Sequence, residues 1–280
     1  ITFGLPKKVI FCKKCVVSNQ KPNSTVEIKN QQKVRKSTQI FNDDGVCNAC
    51  IYAEQKKQID WEQREVELLK LLDKHRKGNG EYDCIVPGSG GKDSCYVSHI
   101  LKFKYDMNPL TVTWAPNEFT DIGWKNFQSW LNSGFDNLLV TPNRDVHRAL
   151  TRNSFLNLLH PFQSFIVGQK LTAPKIALKY KIPLIFYGEN PAEYGNNIED
   201  NYDPKMDTSY FTADKSEIDN FYLSGMSKKD LINNKIMALK DFNYYSPVDR
   251  DQIIKNKIEI HYMSYYKNWD PQENFFYATT

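Results

Sequence analysis

The stretch "IVPGSGGKDSCYV", residues 85–97, constrains the fold of this 280-residue chain more than any other segment. A short apolar run ends in three closely spaced glycines and two serines, and a helical pattern resumes at once. A strand that turns tightly into a helix is half of a β–α–β unit, and such units assemble into parallel sheets. The same alternation continues downstream. "PLTVTWAP", "NLLVTPN" and "IPLIFYGEN" read as strands, separated by helical stretches at "GWKNFQSWLNSGF", "DVHRALTRNSFLNLL" and "TAPKIALKYK". The pattern predicts an α/β fold with an open parallel sheet and a ligand site outside the carboxyl ends of its strands. "PGSGGKDS", "TWAP" and "YGEN" are all strand-end segments, so they should converge on one site.

The loop is not a Walker A motif. Aligning Gly91 and Lys92 with that motif puts Val86 at the first glycine and Asp93 where a magnesium-binding hydroxyl belongs. A dinucleotide fingerprint read from Gly88 and Gly90 ends on Asp93, an acid that would face pyrophosphate. What remains is strand, then Ser89-Gly90-Gly91-Lys92-Asp93-Ser94, then helix. Gly90 and Gly91 let backbone N–H groups approach phosphate, Ser89 and Ser94 add hydroxyls, and the helix offers its positive end. This segment resembles the PP-loop of the ATP pyrophosphatases, which split ATP into AMP and pyrophosphate to activate a carbonyl-type oxygen. The resemblance implies ATP and Mg²⁺ as cofactors and an adenine-nucleotide α-hydrolase-like topology. Asp93 is expected to organise Mg²⁺, since a carboxylate beside pyrophosphate is repulsive without a cation between them. Lys92 is a candidate to neutralise phosphate.

Residues 1–58 form a different texture, with Cys12-x-x-Cys15 and Cys47-x-x-Cys50. Two such pairs match the tetrahedral preference of structural zinc, so a small zinc ribbon is expected, with an iron–sulfur cluster or disulfides as alternatives. Cys84 and Cys95 flank the loop. Cys84 reads as core, and Cys95, on the first helical turn, reads as packing rather than as a low-pKa thiol. Cysteines of this kind suit a reducing, cytoplasmic setting better than a secreted scaffold, despite the triplet Asn23-Ser24-Thr25. No apolar run is long enough to span a bilayer, so no membrane partner is expected.

The organisation follows: residues 1–58 the four-cysteine module, 59–80 a linking helix, 81–195 the phosphate-loop core, and 196–280 a C-terminal extension for sugar or partner binding. In the linking helix Asp60 and Gln63 have capping-box spacing, and Trp61, Leu68, Leu69 and Leu72 share a face. Further on, "GNNIEDNYDPKMDTSYFTADKS" reads as loop, "SKKDLINNKIMALKDF" as one helix and "IEIHYMSYYKNW" as a strand. Ile1 and the aromatic end "ENFFYATT" read as interior positions, so the sequence is expected to be a segment of a longer chain. The net charge of +4, from 37 basic and 33 acidic residues, is too balanced to demand nucleic acid.

Beyond the loop, "CKKCV", "DDGVCNACI", "SGFDNLLVTPNRDVHR", "YGENPAEYG" and "HYMSYYKNWDPQENF" together resemble the bacterial N-acetyl sugar amidotransferases of surface-polysaccharide and flagellin glycan biosynthesis. That resemblance implies conversion of an acetamido to an acetamidino group. An O-adenylyl imidate forms with loss of pyrophosphate, and ammonia then displaces AMP. It also implies an N-acetylated sugar substrate, a separate glutaminase subunit supplying ammonia, in some cases a cyclase-like companion, and no nucleic acid. The alternative is a PP-loop tRNA thiolase, which inserts sulfur into an adenylated base. The PP-loop resemblance makes Thr113 and Trp114, at the end of the second strand, candidates to bind adenine through backbone groups; Gly168 and Gln169 are candidates to face ATP, and Gly188 and Asn190 end the fourth strand beside the phosphate loop. Glu189 is a catalytic candidate beside Lys92 and Asp93. His261, Lys267 and Asp270 are candidates for a sugar carboxylate.

Overall fold

A computed structural model describes residues 5–34, 36–196 and 202–279. Its centre is a five-stranded parallel sheet of β1 (Cys84–Pro87), β2 (Pro109–Trp114), β3 (Asn137–Val140), β4 (Leu184–Tyr187) and, after the short strands given below, β9 (Glu259–Tyr262). The strand order is β3-β2-β1-β4-β9. β1 is thus flanked by β2 and β4, in register Ile85 to Leu110 and Ile85 to Ile185. The order turns back at β1, so its carboxyl end opens into the crevice where such sheets bind ligands. The expected α/β parallel sheet is present. Its fifth strand comes from within the segment 196–280, so that segment completes the sheet as well as extending it.

Helices cover both faces. α1 (Asn48–Gln55) and α2 (Trp61–His75) precede the sheet, α3 (Lys92–His99) follows β1, and α4 (Asp121–Asn132) follows β2. α5 (Arg144–Leu158) and α6 (Gln163–Tyr180) lie between β3 and β4. α2 begins where Asp60 accepts a hydrogen bond from the Gln63 N–H at 3.0 Å. Of its expected apolar face, Leu68 and Leu72 are fully buried but Leu69 is 41% exposed. One residue is about 100° of helix rotation, enough to carry Leu69 out of the seam.

Four other expectations change. "TAPKIALKYK" is only the second half of α6, which starts at Gln163 and runs through Pro174. "SKKDLINNKIMALKDF" is not one helix. α7 (Lys228–Asn233) is capped by Ser227 but stops before Lys235, whose φ is +57°, and a 3₁₀ turn resumes at Leu239. Two adjacent asparagines, weak helix formers that favour turns, account for the break. The run after "IEIHY" folds into α9 (Met263–Tyr266) rather than continuing the strand, and α10 (Pro271–Thr279) follows. Short pairs complete the chain: β5 (Thr212–Ala213) with β8 (Val248–Asp249), the hairpin β6 (Tyr222–Leu223) with β7 (Met226–Ser227), and α8 (Arg250–Lys255). The expected loop from residue 195 onward thus contains a strand, and its positions 197–201 lie outside the described residues.

Gly90 shows how tightly the loop is set. Its φ is +83°, and a Cβ there would lie 2.7 Å from the Asn126 carbonyl and 2.8 Å from the Phe127 backbone of α4. Gly91 has ordinary φ, and a Cβ at that position would meet nothing within 4 Å. Gly90→Ala is therefore expected to cost roughly 2 kcal/mol or more of unfolding free energy. Gly91→Ala should cost less than about 1 kcal/mol, as a change of N-cap residue. Urea denaturation of the two variants separates these outcomes, and equal losses would contradict the assigned geometry.

Candidate active site

The carboxyl ends of β1 and β4 open into a cavity of about 370 Å³. From β1 and α3 it receives Gly88, Ser89, Gly91, Asp93 and Ser94. From the end of β4 it receives Gly188, Glu189 and Asn190, and from α6 Gln169 and Lys170. Gly91 is the N-cap of α3, and the first N–H groups of that helix have no intrahelical acceptor. This is the helix end at which the sequence places an anion. One Asp93 oxygen, Oδ1, is buried without any hydrogen-bond partner, a group suited to a cation. The Lys92 ammonium contacts Oδ2 of the same carboxylate at 2.5 Å. Lys92 itself lines a different groove, with Gly90 and Cys95, between α3, α4 and α10.

The side chains of the adenine candidates turn into the core. Thr113 is fully buried and its hydroxyl accepts a hydrogen bond from the Asn137 amide at 3.0 Å. Trp114 is buried too, and its indole lies so close to Gly168 that a Cβ there would be 2.2 Å away. These three pack against the sheet, and none of them lines the cavity. Of the pair on α6, only Gln169 does. In the C-terminal motif His261 bonds the Tyr266 hydroxyl at 2.7 Å, Lys267 pairs with Glu65 at 3.1 Å, and Asp270 caps α10. All three are engaged in internal contacts.

Lys170 has no signal in the sequence beyond being a lone charge within the apolar run "IVGQKLTAP". In the structure its ammonium sits 4.8 Å from the Tyr187 ring centroid, facing the cavity. Burial lowers it to about 8, and the Glu189 carboxylate opposes that shift. Glu189 is held by the Tyr194 hydroxyl and by the Trp269 indole N–H, the latter at 3.2 Å. Trp269 also wedges against Gly188, where a Cβ would be 2.8 Å from the ring.

The four cysteines assemble as expected. Cys12 and Cys50 sulfurs are 4.0 Å apart, Cys15 and Cys47 3.7 Å, and all four lie within 4.8 Å of one another. This is a metal-binding cysteine cluster built from two turns and the first turn of α1. Burial works to raise the Cys12 thiol, but backbone N–H groups of Cys47 and Lys14 outweigh it and bring Cys12 down to about 6. Cys84 is fully buried, and burial together with the Asp93 charge raises Cys95 to about 11. The cluster is coupled to the cavity. α1 packs on the 3₁₀ turn Pro191–Tyr194 that follows β4. Just beyond α1, Lys56 bonds Glu193 and the Trp269 carbonyl, each at 2.9 Å. Lys21 reaches the Tyr194 carbonyl at 2.5 Å, and Asn196 bonds the Ser24 N–H at 3.1 Å.

No protein-family model matches the chain. An uncharacterized protein of Methanocaldococcus jannaschii is 35% identical over 79 residues, 28% of each chain. The chain thus spans under a third of that relative's length. Among solved structures, the U34-tRNA thiolase NcsA of Methanococcus maripaludis, described with its four-iron, four-sulfur cluster, is 13% identical. That likeness covers 82% of this chain and 78% of that one, with a TM-score of 0.24. The tie to the PP-loop ATP pyrophosphatases is a weak one, of loop sequence and sheet topology, and it does not single out the sugar amidotransferases. The expectation that excluded nucleic acid is corrected: a similar structure is described as acting on tRNA. Residues 1–58 hold eleven basic and four acidic residues, which the whole-chain balance conceals. Among the described residues no helix is long and apolar enough to cross a membrane.

A pH experiment tests the cavity. Lys170 should be charged below pH 8 and lose its proton above it. MgATP affinity is therefore expected to hold at lower pH and to fall as pH rises through about 8. Lys170→Met should bind about tenfold more weakly and lose that pH dependence, as read by titration calorimetry. An unchanged profile in the variant would remove Lys170 from the site.

Proposed function

We propose that this chain is an ATP pyrophosphatase that adenylates a carbonyl-type oxygen of its acceptor. The observation that carries this reading is the cavity in which the α3 N-terminus, the unpartnered Asp93 oxygen and Lys170 converge at the carboxyl ends of β1 and β4. The acceptor oxygen attacks the α phosphorus of ATP and pyrophosphate leaves. A nucleophile then adds at the activated carbon and AMP leaves. The loop N–H groups and Lys170 hold phosphate charge that shifts during the first step, and the fixed walls align the reactants. Asp93 would hold Mg²⁺, which neutralises phosphate charge when bound.

Two acceptors fit this chemistry, and they differ in the nucleophile. The basic surplus in residues 1–58 favours a tRNA base with sulfur as the nucleophile. The thiols favour the acetamido group of a sugar with ammonia, because buried Cys84 and the raised Cys95 offer no thiolate beside the loop. We assign the cysteine cluster a single zinc ion. Thiolates about 2.3 Å from one ion form a tetrahedron with edges of about 3.8 Å; two of the separations are 4.0 and 3.7 Å, and all lie within 4.8 Å. Cysteines around a four-iron cube sit on its outer corners and must stand further apart.

Incubation with MgATP and either bulk tRNA plus sulfide, or free and nucleotide-linked diacetamido sugars plus ammonium, decides the acceptor. The expected result is AMP and pyrophosphate in one arm only, with oxygen replaced by sulfur or by NH in the product. ADP in place of AMP would sink the pyrophosphatase reading. Metal analysis of the purified protein should find one zinc per chain and no visible charge-transfer absorption; iron with acid-labile sulfide would overturn the zinc assignment.

A further inference from the structure

The segment between the two cysteine pairs does more than connect them. It crosses to α6 and closes a second cavity of about 270 Å³. Gln163, at the start of α6 and fully buried, anchors it by donating from its side-chain amide to the Glu27 carbonyl at 2.8 Å. Four residues, Ser24, Lys170, Pro191 and Tyr262, line both this cavity and the phosphate cavity. The two spaces therefore share a wall that includes Lys170.

We propose that the second cavity is the acceptor compartment, taking a compact hydrogen-bonding ring whose carbonyl oxygen points across this shared wall toward the phosphate cavity. The assignment rests on the adenylation reading above. Adenylation needs a second substrate whose oxygen reaches the α phosphorus, so its pocket must adjoin the nucleotide's. The dimensions suit one ring: the volume lies just below the range of sites that take drug-sized ligands. Ile28 and Val167 supply apolar wall for the faces of a ring, and Ser24, Thr25, Tyr210 and His160 supply polar groups at its edges.

Apart from Lys170, which faces the phosphate cavity, the charge within the walls is already compensated. Glu27 is almost wholly buried and its carboxylate is paired with Lys36 at 2.7 Å, Asn30 at 3.0 Å and Thr25 at 3.3 Å. His160 stands 3.8 Å from the same carboxylate. A balanced, prearranged polar wall selects a neutral hydrogen-bonding ring over a phosphate group. An N-acetylated hexose ring and an extruded nucleobase share this chemistry, and the test separates them.

Titration calorimetry with a non-hydrolysable MgATP analogue present would use two probes, UDP-N-acetylglucosamine and bulk tRNA. One probe should bind wild type. Thr25→Trp, which fills the cavity from its rim, should weaken that probe about tenfold or more while the analogue's own affinity changes less than about twofold. Glu27→Gln keeps the shape, breaks the charge balance, and should weaken the same probe if the tryptophan variant fails to fold. Binding of the sugar nucleotide identifies a sugar ring, and binding of tRNA a base. A bound probe that keeps its affinity in the folded variants overturns the compartment, as does binding of neither probe when the analogue binds. Failure of the analogue to bind wild type would instead overturn the pyrophosphatase reading, and this proposal with it.

Discussion

The indole of Trp269 is the contact on which the candidate site depends. It lies fully buried against Gly188, donates to Glu189, and carries on its backbone the carbonyl that receives Lys56. Three segments distant in sequence thereby meet at the end of β4. The C-terminal segment sets the orientation of the Glu189 carboxylate, and the cysteine module clamps the turn that follows it. Neither arrangement is available to the phosphate loop alone, since that loop contributes only the opposite wall.

This explains why a metal cluster without an evident catalytic task is joined to a phosphate-loop sheet. The cluster fixes α1, which packs on the Pro191–Tyr194 turn, and Lys56 then pairs with Glu193 in a half-buried setting. Breaking such a pair is expensive because it leaves a carboxylate desolvated without its cation. Burial already raises the Glu193 carboxyl above its ordinary range. A metal held by the cluster would act on the cavity through packing and charge, by way of α1 and Lys56.

Much of this was legible locally. The strand, the Ser89–Ser94 loop and the helix after it were readable because turn chemistry and apolar periodicity are short-range properties. So were the Asp60 cap and the cysteine pairs. The side-chain directions at other candidate positions have a different origin. Thr113, Trp114 and Gly168 lie near strand or helix positions where a nucleotide contact was expected, yet Trp114 and Gly168 face each other in the core. Lys92 belongs to the loop in sequence but contacts Asp93 and lines another groove. Which way a side chain leaves the backbone at a strand end depends on what packs there, and no local pattern encodes it.

The sequence by itself determined the alternation of strands and helices, the glycine at the left-handed position of the loop, and the pairing of four cysteines around a metal. Each follows from backbone sterics or from ligand chemistry within a few residues. Only the tertiary structure decided that Lys170 faces the phosphate cavity, that Trp269 holds Glu189, and that the inter-cysteine segment walls a second cavity. Those contacts join residues far apart along the chain, where only packing of the whole sheet brings them together.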